Sequence, residues 1–141
     1  MKYRDKILLF WVMCSLVLAT TSCANTNKEK INYYSNEQSY IEIIGTINHV
    51  VFDDEQKVLY LGFSSMSQKL DDDCFKVVGD SYSIVVANKE HIEIGATATF
   101  VTAPKYYGNG YVMPIVSLSV GGYDVLRYED GFPFLIDWLK K

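Results

Sequence analysis

Three tyrosines, Tyr106, Tyr107 and Tyr111, surround Gly108-Asn109-Gly110 in the stretch TAPKYYGNGYVMP. Tyrosine joins a flat apolar ring to a hydroxyl that seeks a hydrogen bond, so such a group can stack on a sugar ring or on a partner's apolar side chain. The same residues beside a tight turn can instead form cross-strand pairs that only stabilise a sheet. The chain has eleven tyrosines, so number alone does not separate the two readings. Position has to.

Residues suited to catalysis or metal binding are few and scattered. His49 and His91 are the only histidines, and neither has a second ligand three or four residues away, the spacing zinc sites normally show. His49 falls on the same strand face as Ile47 and Val51, which points to a histidine at a barrel end or within the core. Asp53-Asp54-Glu55 and Asp71-Asp72-Asp73 are clustered carboxylates without the alternate spacing and central glycine of a calcium loop. They read as solvated turns. Cys74 follows the second run, and negative charge beside a thiol disfavours the reactive thiolate. GFSSM at 62–66 is not a G-x-S-x-G elbow, and the glycines do not gather into a phosphate cradle. The sequence carries no catalytic signature, and no metal or cofactor is expected.

The start of the chain bears on location. Lys2, Arg4 and Lys6 precede an uncharged apolar run, Ile7 to Ala19, followed by Thr20, Thr21 and Ser22. This is the layout of a secretory signal over residues 1–22. As a helix the run would span roughly 20 Å, short of the ~30 Å hydrocarbon core, so a permanent membrane helix fits less well. TTSC resembles the lipobox of bacterial lipoproteins, with Thr20 where leucine is usual, and the resemblance implies lipidation at Cys23. The alternative is cleavage after Ala24 and free secretion. Neither route predicts a disulfide framework, because Cys14 lies in the signal. Residues 23–38 then form the anchor and a polar tether to a domain at 39–141.

From Cys23 onward ten Lys and Arg face sixteen Asp and Glu. This negative balance argues against a nucleic-acid partner, since phosphate binding rests on basic side chains. The length suits one domain with a substantial core.

The elements that must position the tyrosines read as β. Residues 40–52 are rich in Ile and Val, with Ile41, Ile43, Ile47 and Val51 on one expected face and Gly45 at a bulge or bend. A polar turn at 53–56 leads to a second strand, with Leu59, Leu61 and Phe63 inward and Tyr60 outward. Residues 74–78 form a third strand. Residues 81–88 are ambiguous: Asp80 or Ser81 could cap a helix with Tyr82, Val85 and Val86 on one side, yet Ile84, Val85 and Val86 favour a strand. A fourth strand has Ala96, Ala98 and Phe100 on one face. A fifth sets Val116, Leu118 and Val120 against Ser117 and Ser119, with Pro114 at an edge or bulge. Gly121-Gly122 permits a tight turn before residues 123–126. A helix is expected at the C-terminus, with Pro133 in its first turn and Leu135, Trp138 and Leu139 as its apolar stripe.

This order is similar to an OB-fold, a five-stranded Greek-key barrel. Together, IEIIGTI, IGATATFVTAPKYYGNGY and MPIVSLSVGG behind a lipobox-like cysteine resemble small bacterial secreted lipoproteins with OB-like domains. A β-sandwich or a meander with a packed helix is the alternative. In OB-like barrels ligands meet the face of strands two and three and the loops joining strands one to two and four to five. The resemblance therefore groups Tyr60 with Tyr106, Tyr107 and Tyr111 as candidate ligand contacts. The expected function is a membrane-anchored, non-catalytic module at the cell envelope that binds a protein or glycan, with a structural or inhibitory lipoprotein as the alternative.

Overall fold

Alternating apolar residues build most of the strands, and bulges in the first and fifth decide where several of them face. The computed structural model describes residues 28–70, 74–105 and 113–141. The signal, Cys23, Asp71-Asp72-Asp73 and Tyr106 to Tyr111 lie outside the described residues. The chain divides into two compact units, Met1–Tyr33 and Tyr34–Lys141. In the first, residues 28–33 are helical, and this helix (α1) continues through residue 35. That stretch was expected to be tether. The second unit also starts at Tyr34 rather than at Ser39, because the Tyr34 ring is fully buried.

The second unit is mainly β. After a 3-10 turn at Glu37–Ser39 come β1 (Ile41–Asp53), β2 (Val58–Ser64), β3 (Cys74–Val77), α2 (Ser81–Ala87), a 3-10 turn at Lys89–His91, β4 (Thr97–Thr102), β5 (Met113–Val120), β6 (Tyr123–Leu126) and α3 (Tyr128–Leu139). The sheet order is β3-β2-β1-β4-β5-β6, and a parallel β3–β5 pairing joins the strands into a ring. β1 to β5 thus form a closed OB-like barrel with order 1-2-3-5-4. β1 is long enough to serve two partners, pairing with β4 through Ile41 to Thr46 and with β2 through Thr46 to Asp53.

Ile43, Ile47, Leu59, Leu61, Phe63, Phe75, Phe100 and Leu118 fill the interior. Phe63 stacks on Phe100 at 4.1 Å between ring centroids, and Phe75 meets both edge-on. Tyr82 and Val85 of α2 belong to the same core. The ambiguous segment is therefore a helix, and its β-branched residues are tolerated because two of its side chains complete the barrel interior. Asp80 stands at the N-cap but makes no side-chain cap bond. Instead Gly79, at φ 65°, turns the chain out of β3 into the helix.

Two expectations fail at the bulges. Ile47 pairs with Phe63 and His49 with Gly62, so Asn48 is the extra residue. Past it the alternation inverts: Val50 and Phe52 turn toward the core, while Val51 is 43% exposed and His49 is on the surface. In β5, Thr102 pairs with Ile115 and Val101 with Ser117, leaving Val116 unpaired. Val116 joins a second cluster with Val58, Val78 and Leu135 of α3, and does not share the inner face of Leu118 and Val120. Pro114 lies two residues before this bulge. Gly121 and Gly122 both have positive φ, as a tight two-residue hairpin requires.

α3 also begins earlier than expected, so Pro133 is inside it rather than in its first turn. Glu129 and Asp130 occupy that first turn, where the helix dipole favours acidic side chains.

The barrel has two distinct ends. At one, the start of β1 meets the end of β4 through Ile41 and Thr102, and β3 and β5 meet through Phe75 and Met113. Lys105 lies at this end. The other holds the 54–57 turn, α2 and the β5–β6 turn, tied by a 2.5 Å bond from the Tyr82 hydroxyl to Asp54 and by the Gly121 N–H donating to the Thr97 carbonyl.

Candidate functional site

The cross-strand register sets a row of side chains across the outer surface of four strands. Val51 pairs with Tyr60, Tyr60 with Lys76, and Lys76 with Pro114. Tyr60 points outward because its neighbours Leu59 and Leu61 point in. The Lys76 ammonium stands 5.3 Å from the centre of its ring, within the range of a cation–π attraction. An aromatic face beside a fixed cation could receive a sugar ring or a partner's side chain.

This face is partly roofed. Tyr60 is half-buried and packs against the Val58, Val78, Val116 and Leu135 cluster beneath α3. Gly131 brings α3 against the backbone of Val116. Further along, Trp138 passes beside Gly79. The first turns of α3 are clasped to the segment that opens the domain. There Tyr40 meets Phe132 edge-on at 5.5 Å, Tyr128 stacks on Phe132, and the Tyr128 hydroxyl donates to Glu37 at 3.0 Å. Burial, followed by that bond, pushes the Tyr128 phenol up to about 12. Tyr40 in turn donates to the Tyr34 carbonyl at 2.7 Å, and Tyr34 to the Lys105 carbonyl at 3.2 Å.

Tyr106, Tyr107 and Tyr111 lie outside the described residues. The chain around them is fixed on either side by Thr102 and Met113, the facing ends of β4 and β5. The 54–57 turn and the strand ends at Thr102 and Met113 stand at opposite ends of the barrel. The strand between them, β2, has seven residues and spans about 20 Å.

The remaining candidates are held by other contacts. The Asp53 carboxylate accepts from the backbone N–H groups of Glu55 and Gln56 at 3.1 and 3.0 Å, a local turn-forming pattern. Asp54 accepts from Tyr82. That bond, with burial and the nearby charges of Asp54 and Asp53, pushes the Tyr82 phenol up to about 12. Cys74 is half-buried at the start of β3. His49 is an exposed residue of β1, not a core histidine. His91 stacks on Tyr123 at 3.7 Å with 12° between the rings, and Glu90 lies 3.6 Å from its Nε2. The two histidines share no partner among the described residues. Among the described residues no three His, Cys, Asp or Glu side chains are grouped to hold a metal ion.

Comparison of the chain with protein-family models, with curated proteins and with solved structures finds no match in any of the three.

Sequence reasoning missed two constellations. The Tyr60–Lys76 pair depends on the register of β2 against β3, which the loop between them leaves open. The Tyr123–His91 stack, completed by the Tyr123 hydroxyl donating to Asn88 at 3.1 Å, joins residues far apart in sequence that carry no shared motif.

Proposed function

We propose that the protein is an exported lipoprotein, anchored through Cys23, whose OB-like barrel binds a protein or glycan at the cell envelope and catalyses no reaction. The supporting observation is the outward row of Val51, Tyr60 and Lys76 on the face that barrels of this type use for ligands. For the anchor, support comes from the signal layout and the small residues before Cys23. Several acyl chains, at ~0.8 kcal/mol per buried methylene, would make that attachment stable.

The test is binding of the full-length protein to purified envelope glycan and to envelope protein, with and without replacement of Tyr106, Tyr107 and Tyr111 by alanine. The expected outcome is lost capture with the circular dichroism spectrum and Tm retained. A variant that no longer folds would make these tyrosines structural and remove the site. Labelled palmitate should enter the intact protein and be absent from Cys23→Ala, and label in that variant would refute the anchor.

A second reading is favoured by the helix itself. α3 packs over part of the ligand face, which suits a structural or inhibitory envelope lipoprotein that works by occupying space rather than by taking a ligand across strands two and three.

A further inference from the structure

We propose that the rim formed by Ile94, His91 and Tyr123 is a docking surface for a cationic protein segment, one that presents Arg or Lys beside an apolar side chain. This goes beyond the row of Val51, Tyr60 and Lys76 and uses none of its residues.

Ile94, at 69% exposure, is the most exposed large apolar residue among the described residues. It stands at the corner of a turn closed by the Ala96 N–H donating to the Glu93 carbonyl at 3.2 Å. The Gly95 N–H donates to the Ile47 carbonyl at 2.7 Å, and the Ala96 carbonyl accepts from the Ile47 N–H at 2.9 Å. These backbone bonds close the turn and seat it on β1. None of them requires an apolar side chain at residue 94, and small polar residues or glycine suit such a corner better.

Tyr123 opens β6 on the neighbouring hairpin. The Gly121 N–H donates to the Thr97 carbonyl at 3.0 Å, so the hairpin lies beside the turn that carries Ile94. Tyr123 is 44% exposed and stacks on His91 at 3.7 Å, and its hydroxyl donates to the Asn88 side chain at 3.1 Å. Asn88 is itself tied down, its side-chain N–H donating to the Ile84 carbonyl of α2 at 2.9 Å. An exposed ring held in this way loses little freedom when a partner covers it. Rigid, half-exposed tyrosines are the anchors that protein interfaces favour.

Acidic residues occur at both ends of the barrel, so charge does not select this surface. The exposed apolar side chains select it, and charge names the partner. Exposed Glu90, Glu93 and Asp124 border the rim, against Lys89. A guanidinium would stack on an aromatic face here while pairing with a neighbouring carboxylate, and an aliphatic side chain would cover Ile94. A second copy of this chain would set like charges against each other, which costs energy.

The full chain in neutral detergent, titrated against a fluorescein-labelled peptide of alternating arginine and leucine, provides the test by anisotropy. One comparison peptide carries serine for leucine, and another glutamate for arginine. The arginine–leucine peptide should bind, the serine peptide more weakly, and the glutamate peptide not at all. Ile94→Ser and Tyr123→Ala, checked by circular dichroism and Tm, should each weaken binding about tenfold or more, the loss of one interface anchor. The Ile94 side chain makes none of the turn's bonds, so Ile94→Ser keeps the test open if Tyr123→Ala does not fold. Tyr60→Ala should leave the affinity unchanged, which tells loss of this surface apart from loss of the Tyr60 face. Unchanged affinity in the folded rim variants overturns the proposal, as does equal binding of the leucine and serine peptides or no binding of either. A dimer in sedimentation that Ile94→Ser dissociates assigns the rim to a second copy and overturns it too.

Discussion

Gly131 of α3 rests on Val116 of β5 so closely that a Cβ at residue 131 would stand 2.0 Å from the Val116 carbonyl oxygen. No side chain but hydrogen fits there. The contact lets α3 lie flat on the barrel and bury Leu135 against the outward-turned Val116, Val58 and Val78. The β5 bulge and the helix glycine are thus two halves of one joint.

Gly131→Ala should therefore destabilise the protein even though alanine is the better helix former. The neighbouring atom is backbone and cannot swing aside, so the helix has to lift, at a cost of about 1–3 kcal/mol typical of overpacking. Urea unfolding would measure the loss. Wild-type stability in this variant would mean that α3 is not seated on Val116.

Removing the Phe100 ring should be among the most damaging single changes. Phe100 stacks on Phe63 at 4.1 Å and meets Phe75 at 4.9 Å in the fully enclosed interior. Phe100→Ala is expected to cost about 3–5 kcal/mol, with Phe100→Leu losing much less. Guanidinium denaturation of both variants gives the comparison.

Alkaline pH should weaken the fold late and in a defined window. Tyr82, through its bond to Asp54, and Tyr128, through burial and its bond to Glu37, are both raised to about 12. A phenol whose folded value lies above its ordinary 10 contributes stability that is complete below pH 10 and is lost as pH rises through about 12. Tyrosinate absorbance should show groups titrating near pH 12, and Tyr82→Phe should remove one of them. The same titration curve in wild type and variant would refute the Asp54 contact.

Tyr60 separates a packing role from a ligand role. Tyr60→Ala should lose about 1 kcal/mol, near half the value for a fully buried ring, because the residue is half-covered by the α3 cluster. Tyr60→Phe keeps the ring against the cluster and the Lys76 ammonium, so stability should hold. If Tyr60→Phe binds envelope ligand as wild type does and a folded Tyr60→Ala does not, the ring face is the contact. Equal binding by both variants would take Tyr60 out of the site.

Much of the barrel was legible in the chain. The inward set Leu59, Leu61 and Phe63, the alternation of Ala98 and Phe100 against Thr97 and Thr99, and the turn at Gly121-Gly122 all follow from a two-residue period and from glycine's access to positive φ. What failed within the strands did so for one physical reason. A bulge adds a single residue and reverses the inside and outside of everything beyond it; nothing in the composition of INHVV announces one, and Pro114 in MPIVS signals an edge or bulge without saying that Val116 is the residue displaced. Val51, His49 and Val116 were misplaced on that account. The start of α3 was missed because Pro133 marks a first turn only when the preceding residues are not already helical. The start at Tyr34 was missed because its burial depends on Lys105 and Tyr40, distant or irregular partners that no periodic pattern reports.

The sequence by itself determined the strand-forming stretches, the turns and the negative charge, because these depend on each residue and its near neighbours. It also supplied the candidate tyrosines, without a way to tell a platform from a sheet pair. Only the tertiary structure decided that β3 pairs with β5 to close the ring, that Lys76 stands over Tyr60, and that α3 roofs part of that face. Each of these joins segments through a register or a bulge, and a register is a property of two strands together.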